Sequence, residues 1–139
     1  MRHRHFAVAC LLLVAAACSS SPITEVNPPA TVKLGVGDGA FITGTPWTVI
    51  FDSVVSDSRC PIGVFCIQAG EALLALELAS PRADPRPHDN PHFTLGVAPV
   101  TVEGLRLTQV EVLPLRRQGE SIDPKSYRAT VRIEAISGP

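Results

Sequence analysis

The side chains able to do chemistry in this chain fall in three places. Cys60 and Cys66 flank the stretch Pro61-Ile62-Gly63-Val64-Phe65, with Asp57 and Arg59 just ahead of them. His88, Asp89 and His92 lie within Pro85-Arg86-Pro87-His88-Asp89-Asn90-Pro91-His92. Cys18 follows Ala15-Ala16-Ala17. A thiol pair can ligate a metal, exchange electrons or cross-link. Zinc sites bring two cysteines closer together and add two further ligands, and the redox motif is Cys-x-x-Cys, so cross-linking is the reading that fits this spacing. The prolines around His88 and His92 exclude a regular helix that would present both imidazoles on one face. A solvated loop is the simpler reading there, and a labile surface metal site on His88, Asp89 and His92 is the alternative. Asp57 and Arg59 have the chemistry of an ion pair bracing the loop, or of a charge pair facing a partner. No Gly-x-Ser-x-Gly elbow, His-Glu-x-x-His helix or P-loop occurs. Gly35-Val36-Gly37-Asp38-Gly39 has the wrong spacing for a phosphate loop and no helix after it, and reads as a hairpin turn. The remaining carboxylates stand singly. The expectation is a non-catalytic protein without a cofactor.

What must position these groups begins with the first residues. Arg2, His3, Arg4 and His5 make a basic start, Phe6 to Ala17 is an unbroken apolar run, and small residues precede Cys18. That is the build of a secretory leader, and the run is short of the ~18 residues that cross a bilayer as a helix. Without Arg2 and Arg4 the chain keeps ten basic residues against 13 acidic ones, a formal charge of −3. No basic stripe remains, so nucleic acid is not an expected partner. An anionic membrane surface would not attract the chain by net charge either, so any membrane attachment has to be covalent.

Val14-Ala15-Ala16-Ala17-Cys18 resembles the bacterial lipobox, with alanine in place of its usual leucine. The resemblance implies a diacylglycerol on the Cys18 thiol, removal of residues 1–17 and, often, acylation of the new amino group. Two or more acyl chains hold a protein stably where one does so only marginally. Ordinary cleavage after Ala17 is the competing reading, since Ala15 and Ala17 satisfy the A-x-A rule. Lipid on Cys18 also accounts for the odd one among the three cysteines beyond the leader. Ser19 implies, by resemblance to sorting rules of Gram-negative bacteria, the outer membrane. Residues 18–29, with Ser19-Ser20-Ser21-Pro22 and Asn27-Pro28-Pro29, read as a disordered tether of at most about 40 Å.

From residue 30 to 139 short apolar runs alternate with turn residues, as expected of an all-β chain. Tyr127, Ala129, Val131, Ile133 and Ala135 share one face of a strand; Trp47, Val49 and Phe51 share another, and Ala30, Val32 and Leu34 a third. Phe93, Leu95 and Val97 mark a shorter strand, and Val100 with Val102 one more. Leu105 and Leu107 change phase to Val110 and Val112, which suggests a β-bulge near Thr108-Gln109. Glu71 to Ala79 is rich in helix formers. As a helix it would be apolar nearly all round, whereas as a strand it buries Ala72, Leu74, Leu76 and Leu78. The fold expected is an antiparallel β-sandwich of about seven strands.

Asp57-Ser58-Arg59-Cys60-Pro61, the second cysteine at Cys66 and the following Ala69-Gly70 resemble a family of uncharacterised small bacterial lipoproteins and secreted proteins. Gln68 stands where that family carries tryptophan, and the likeness extends more weakly to Leu113-Pro114 and the tyrosine-led last strand. The resemblance implies compartment and fold, and no activity. After export, with lipid on Cys18, Cys60 and Cys66 have only each other as partners, so a disulfide is expected. The functional expectation is an anchored module of the cell envelope that binds an envelope protein or polymer or serves structurally. Periplasmic metal binding and inhibition of a cell-wall hydrolase are the alternatives.

Overall fold

The structure, a computed structural model, describes residues 22–80 and 90–136. Nine strands are formed among them: β1 (Ile23–Val26), β2 (Ala30–Gly35), β3 (Gly39–Ile42), β4 (Thr48–Asp57), β5 (Ala72–Ala79), β6 (His92–Leu95), β7 (Val100–Val102), β8 (Leu105–Leu113) and β9 (Arg128–Ala135). They make two sheets that pack face to face, one of order β1-β3-β4-β5-β6 and one of order β2-β9-β8-β7. All pairings are antiparallel except that of β1 with β3. The expected all-β sandwich is what forms.

Period-two alternation explains the core. Along β5 residues alternate between buried and half-buried, with Ala72, Leu74, Leu76 and Leu78 inward. The helix formers of this segment are overridden by tertiary context: an inner strand between β4 and β6 buries its alternate leucines against the opposing sheet. Val49 and Phe51 of β4 and Leu95 of β6 join them, facing Leu34, Leu105, Leu107, Val131 and Ile133 from the other sheet. Trp47 packs at the margin of this core and Tyr127 is buried. Ala135, expected on the inner face of the last strand, is exposed at its end. The bulge falls where β8 changes phase: Gln109 pairs with Val131 and Glu111 with Thr130, so Val110 is the extra residue. It turns outward, and Val112 is back in the core.

Two features differ from the sequence reading. Ile23–Val26, placed there in a disordered tether, forms an edge strand parallel to β3, so the folded unit starts ahead of Ala30. The Gly39 amide donates to the Pro22 carbonyl (3.2 Å), and both the Thr43 amide (2.9 Å) and its hydroxyl (2.6 Å) donate to the Val26 carbonyl. Prolines at 22, 28 and 29 flank this strand without interrupting it. The glycine turn, read as a hairpin, instead carries the chain from one sheet to the other, because β2 and β3 lie in different sheets. Asp38 closes it by accepting from the Gly35 amide at Oδ2 (2.7 Å), and Gly37 and Asp38 bond to the main chain of Phe51.

Leu74 is fully buried in the middle of this core. Leu74→Ala is expected to lower stability by about 3 kcal/mol, from the lost transfer energy plus the cavity left behind. In urea titrations this appears as a lower midpoint with an unchanged slope.

Candidate functional site

Chemistry-bearing residues gather at one end of the sandwich, where β4 ends, β5 begins, and β8 passes to β9. Asp57 closes β4, and its side chain is only 8% exposed. Its Oδ1 accepts from Arg59 Nε (2.8 Å) and the Arg59 amide (3.2 Å); its Oδ2 accepts from Arg59 Nη2 (2.7 Å) and the Tyr127 hydroxyl (3.0 Å). The rest of the guanidinium fork crosses to the other sheet. Nη1 donates to the Val112 carbonyl and Nη2 to that of Pro114 (2.8 Å). Arg116 Nη1 returns to the Arg59 carbonyl (2.9 Å). Bidentate, charge-assisted bonds of this kind are the strong ones.

Electrostatics follow the geometry. Burial pushes the Asp57 carboxyl up, but the hydrogen bonds from Arg59 and Tyr127 outweigh it and hold the group below the ordinary carboxylate value. The bond to Asp57 raises Arg59 against the opposing effect of burial. Burial, and then the Asp57 carboxylate beside it, push the Tyr127 phenol up. Near neutral pH the three groups are therefore a carboxylate, a guanidinium and a neutral phenol, each committed to its neighbours. Bracing is the arrangement found for Asp57 and Arg59, since both are largely covered.

The cysteine loop is built on this brace. Cys60 and Cys66 form a disulfide, Cα atoms 6.0 Å apart. The Cys60 amide donates to the Ala69 carbonyl (2.8 Å), the Ser58 amide to Glu71 (2.8 Å), and the Glu71 amide to Ser58 Oγ (3.0 Å). Gly70 has no substitute in this turn: its φ is +65°, and a Cβ there would lie 1.9 Å from the Ser58 carbonyl oxygen. Ile62 pairs with Arg117 across a single parallel bridge, fastening the loop to the β8–β9 connection.

This braced loop exposes apolar side chains. Phe65 is 96% and Ile67 98% exposed, with Ile62 and Leu115 about half exposed beside them. A groove of about 480 Å³ runs next to them, lined by Ile62, Leu113, Pro114, Leu115, Arg117 and Ser126. Sequence reading singled out Asp57, Arg59, Cys60 and Cys66, which the structure brings together, and missed Tyr127 and the apolar tip. A signal for the tip was present: Phe65 and Ile67 sit among turn residues, where no strand face claims them. The metal candidates lie elsewhere. His92 is exposed and pairs with Glu77, toward the opposite end of the sheet; His88 and Asp89 fall outside the described residues, as does Cys18. Among the described residues no three His, Cys, Asp or Glu side chains converge as metal ligands. Comparison with family models, curated proteins and solved structures returns no match.

Two outcomes are expected. A carboxyl whose folded pKa is depressed stabilises fully above its unfolded value, and loses that contribution as pH falls through the folded one. Asp57→Asn should therefore cost about 3 kcal/mol at neutral pH, and the gap to the natural chain should narrow in urea titrations below about pH 4. Replacing Cys60 and Cys66 together by serine should cost about 2 kcal/mol on the chain-entropy account of so short a loop. Thermal unfolding with and without reductant reads it: reductant should lower the natural chain's midpoint and leave the double variant's unchanged.

Proposed function

We propose that this chain is a lipid-anchored protein of the bacterial cell envelope that acts by contact, with the cysteine-loop end of its β-sandwich as the contact surface. The observation that carries this reading is the pairing of the cysteines. With Cys60 bonded to Cys66, the mature chain keeps one odd thiol, Cys18. That thiol stands where the leader ends, in a stretch that resembles the lipobox. A non-catalytic role is supported by the state of the largely covered ion pair at this end. Asp57 and Arg59 hold loops together through every polar atom of their side chains, and neither is poised to accept or give up a proton near neutrality. The exposed Phe65 and Ile67, held on a cross-linked loop, are the kind of rigid apolar anchor that contact surfaces use.

Attachment is tested in cells by metabolic labelling with palmitate, comparing the natural chain with Cys18→Ser. Label on the natural chain and none on the variant is the expected result. Equal labelling of the two refutes lipidation at this position.

A further inference from the structure

The chain enters the fold from the side of the sandwich that carries the apolar tip, and runs away from it along β1. β1 runs parallel to β3, with Ile23 opposite Gly39, and Gly39 lies opposite Ile50 of the antiparallel β4. β4 then continues past Ile50 to Asp57 and the cysteine loop. Pro22 thus lies on the side of Ile23 toward which β4 runs, at about the level of Phe51. The span of β4 beyond Ile50 is measured by its partners on β5, from Glu77 opposite Ile50 to Ala72 opposite Asp57. Five strand residues amount to about 17 Å.

β1 also shortens the leash. Only Ser19, Ser20 and Ser21 separate Cys18 from Pro22. However those residues are arranged, covalent geometry limits the step from Cys18 to Pro22 to about 14 Å. The end of β4 therefore lies about as far from Pro22, on the side from which the chain enters, as a lipid on Cys18 could, and the loop continues beyond it. A domain so held cannot stand clear of the bilayer with this end pointing down.

The chemistry of the tip matches that position. Phe65 and Ile67 are almost wholly exposed, Ile62 and Leu115 partly so. Arg117, exposed beside Ile62, is a cation at the margin of the apolar tip. The connection between β8 and β9 carries Arg116, Arg117 and Lys125 against Glu120 and Asp123, a slight local excess of positive charge within a chain of negative net charge. Apolar and aromatic side chains rimmed by arginine suit the boundary between headgroups and acyl chains. We infer that the cysteine-loop tip docks on the lipid surface to which Cys18 is attached, with Phe65 and Ile67 inserted at that boundary. This rests on the anchored reading above and names the ligand of its contact surface as the bilayer.

The test places a reporter at the tip of the full lipidated chain. Phe65→Trp, in a Trp47→Phe background, is reconstituted into vesicles of phosphatidylethanolamine and phosphatidylglycerol with brominated acyl chains. Trp47 in the natural chain, just ahead of β4 and so at the other end of that strand, is the control. The expected result is a blue-shifted tip tryptophan that loses about half its emission to bromine, as for a side chain about 5–10 Å into the interface, while Trp47 emission is unchanged. A tip tryptophan unquenched in protein that floats with the vesicles overturns docking and leaves the anchor intact. A tip unquenched in pure lipid but shielded in native membranes likewise overturns it, and points to a protein partner. Should mass analysis find no lipid on the chain, the anchored reading fails separately. The same quenching measured on the unlipidated chain then decides whether the tip has affinity for lipid of its own. Phe65→Ser with Ile67→Ser, both at exposed sites, should leave unfolding unchanged and abolish the interaction.

Discussion

The carboxylate of Asp57 ties the two sheets together at one end. It belongs to β4 of the five-stranded sheet, and it accepts from Tyr127, at the head of β9 in the other sheet. Through Arg59 it is also linked to the carbonyls of Val112 and Pro114, where β8 ends. A buried charge is tolerated only when it is paired and its lone pairs are satisfied. Four donated bonds meet that condition here. Removing Arg59 would leave an uncompensated ion, so this end of the sandwich holds together as a unit.

What this constraint supports is a loop that exposes side chains water disfavours. An unconstrained segment with Phe65 and Ile67 would fold them back onto the nearest apolar surface. The Cys60–Cys66 bond, the bridge from Ile62 to Arg117 and the close approach at Gly70 hold the segment to one path. Rigidity of this kind lowers the ordering cost of binding, because little conformational freedom remains to be lost. Structure, not propensity, keeps the tip outward.

Much of this was legible in the residues. Leu74, Leu76 and Leu78 could be assigned inward because only the strand period gives them a single buried face. The bulge at Val110 showed as a change of phase between Leu107 and Val112. The seven strands expected correspond to β2 and β4 to β9; β1 and β3, the two omitted, do not alternate, since β1 is exposed along nearly all its length and β3 is buried along nearly all of its own. The turn at Gly35 to Gly39 was recognised as a turn but assigned the wrong task. Its local backbone requirements do not reveal whether the strands it joins pair with each other or with others. Asp57 and Arg59, two residues apart, suggested a pair, while Tyr127 lies 70 positions away and no local pattern points to it.

By itself, then, the sequence determined the all-β character, the alternating faces of the longer strands and the pairing of its two loop cysteines, since each follows from period, turn chemistry or neighbours a few residues apart. Tertiary structure alone decided that Ile23–Val26 joins a sheet, that the glycine turn crosses between sheets, that one carboxylate serves both, and that the apolar tip lies on the side from which the chain enters β1. Those arrangements depend on contacts between residues far apart in the chain. Their energy comes from burial and hydrogen bonding across the completed sandwich, which no short window of residues contains.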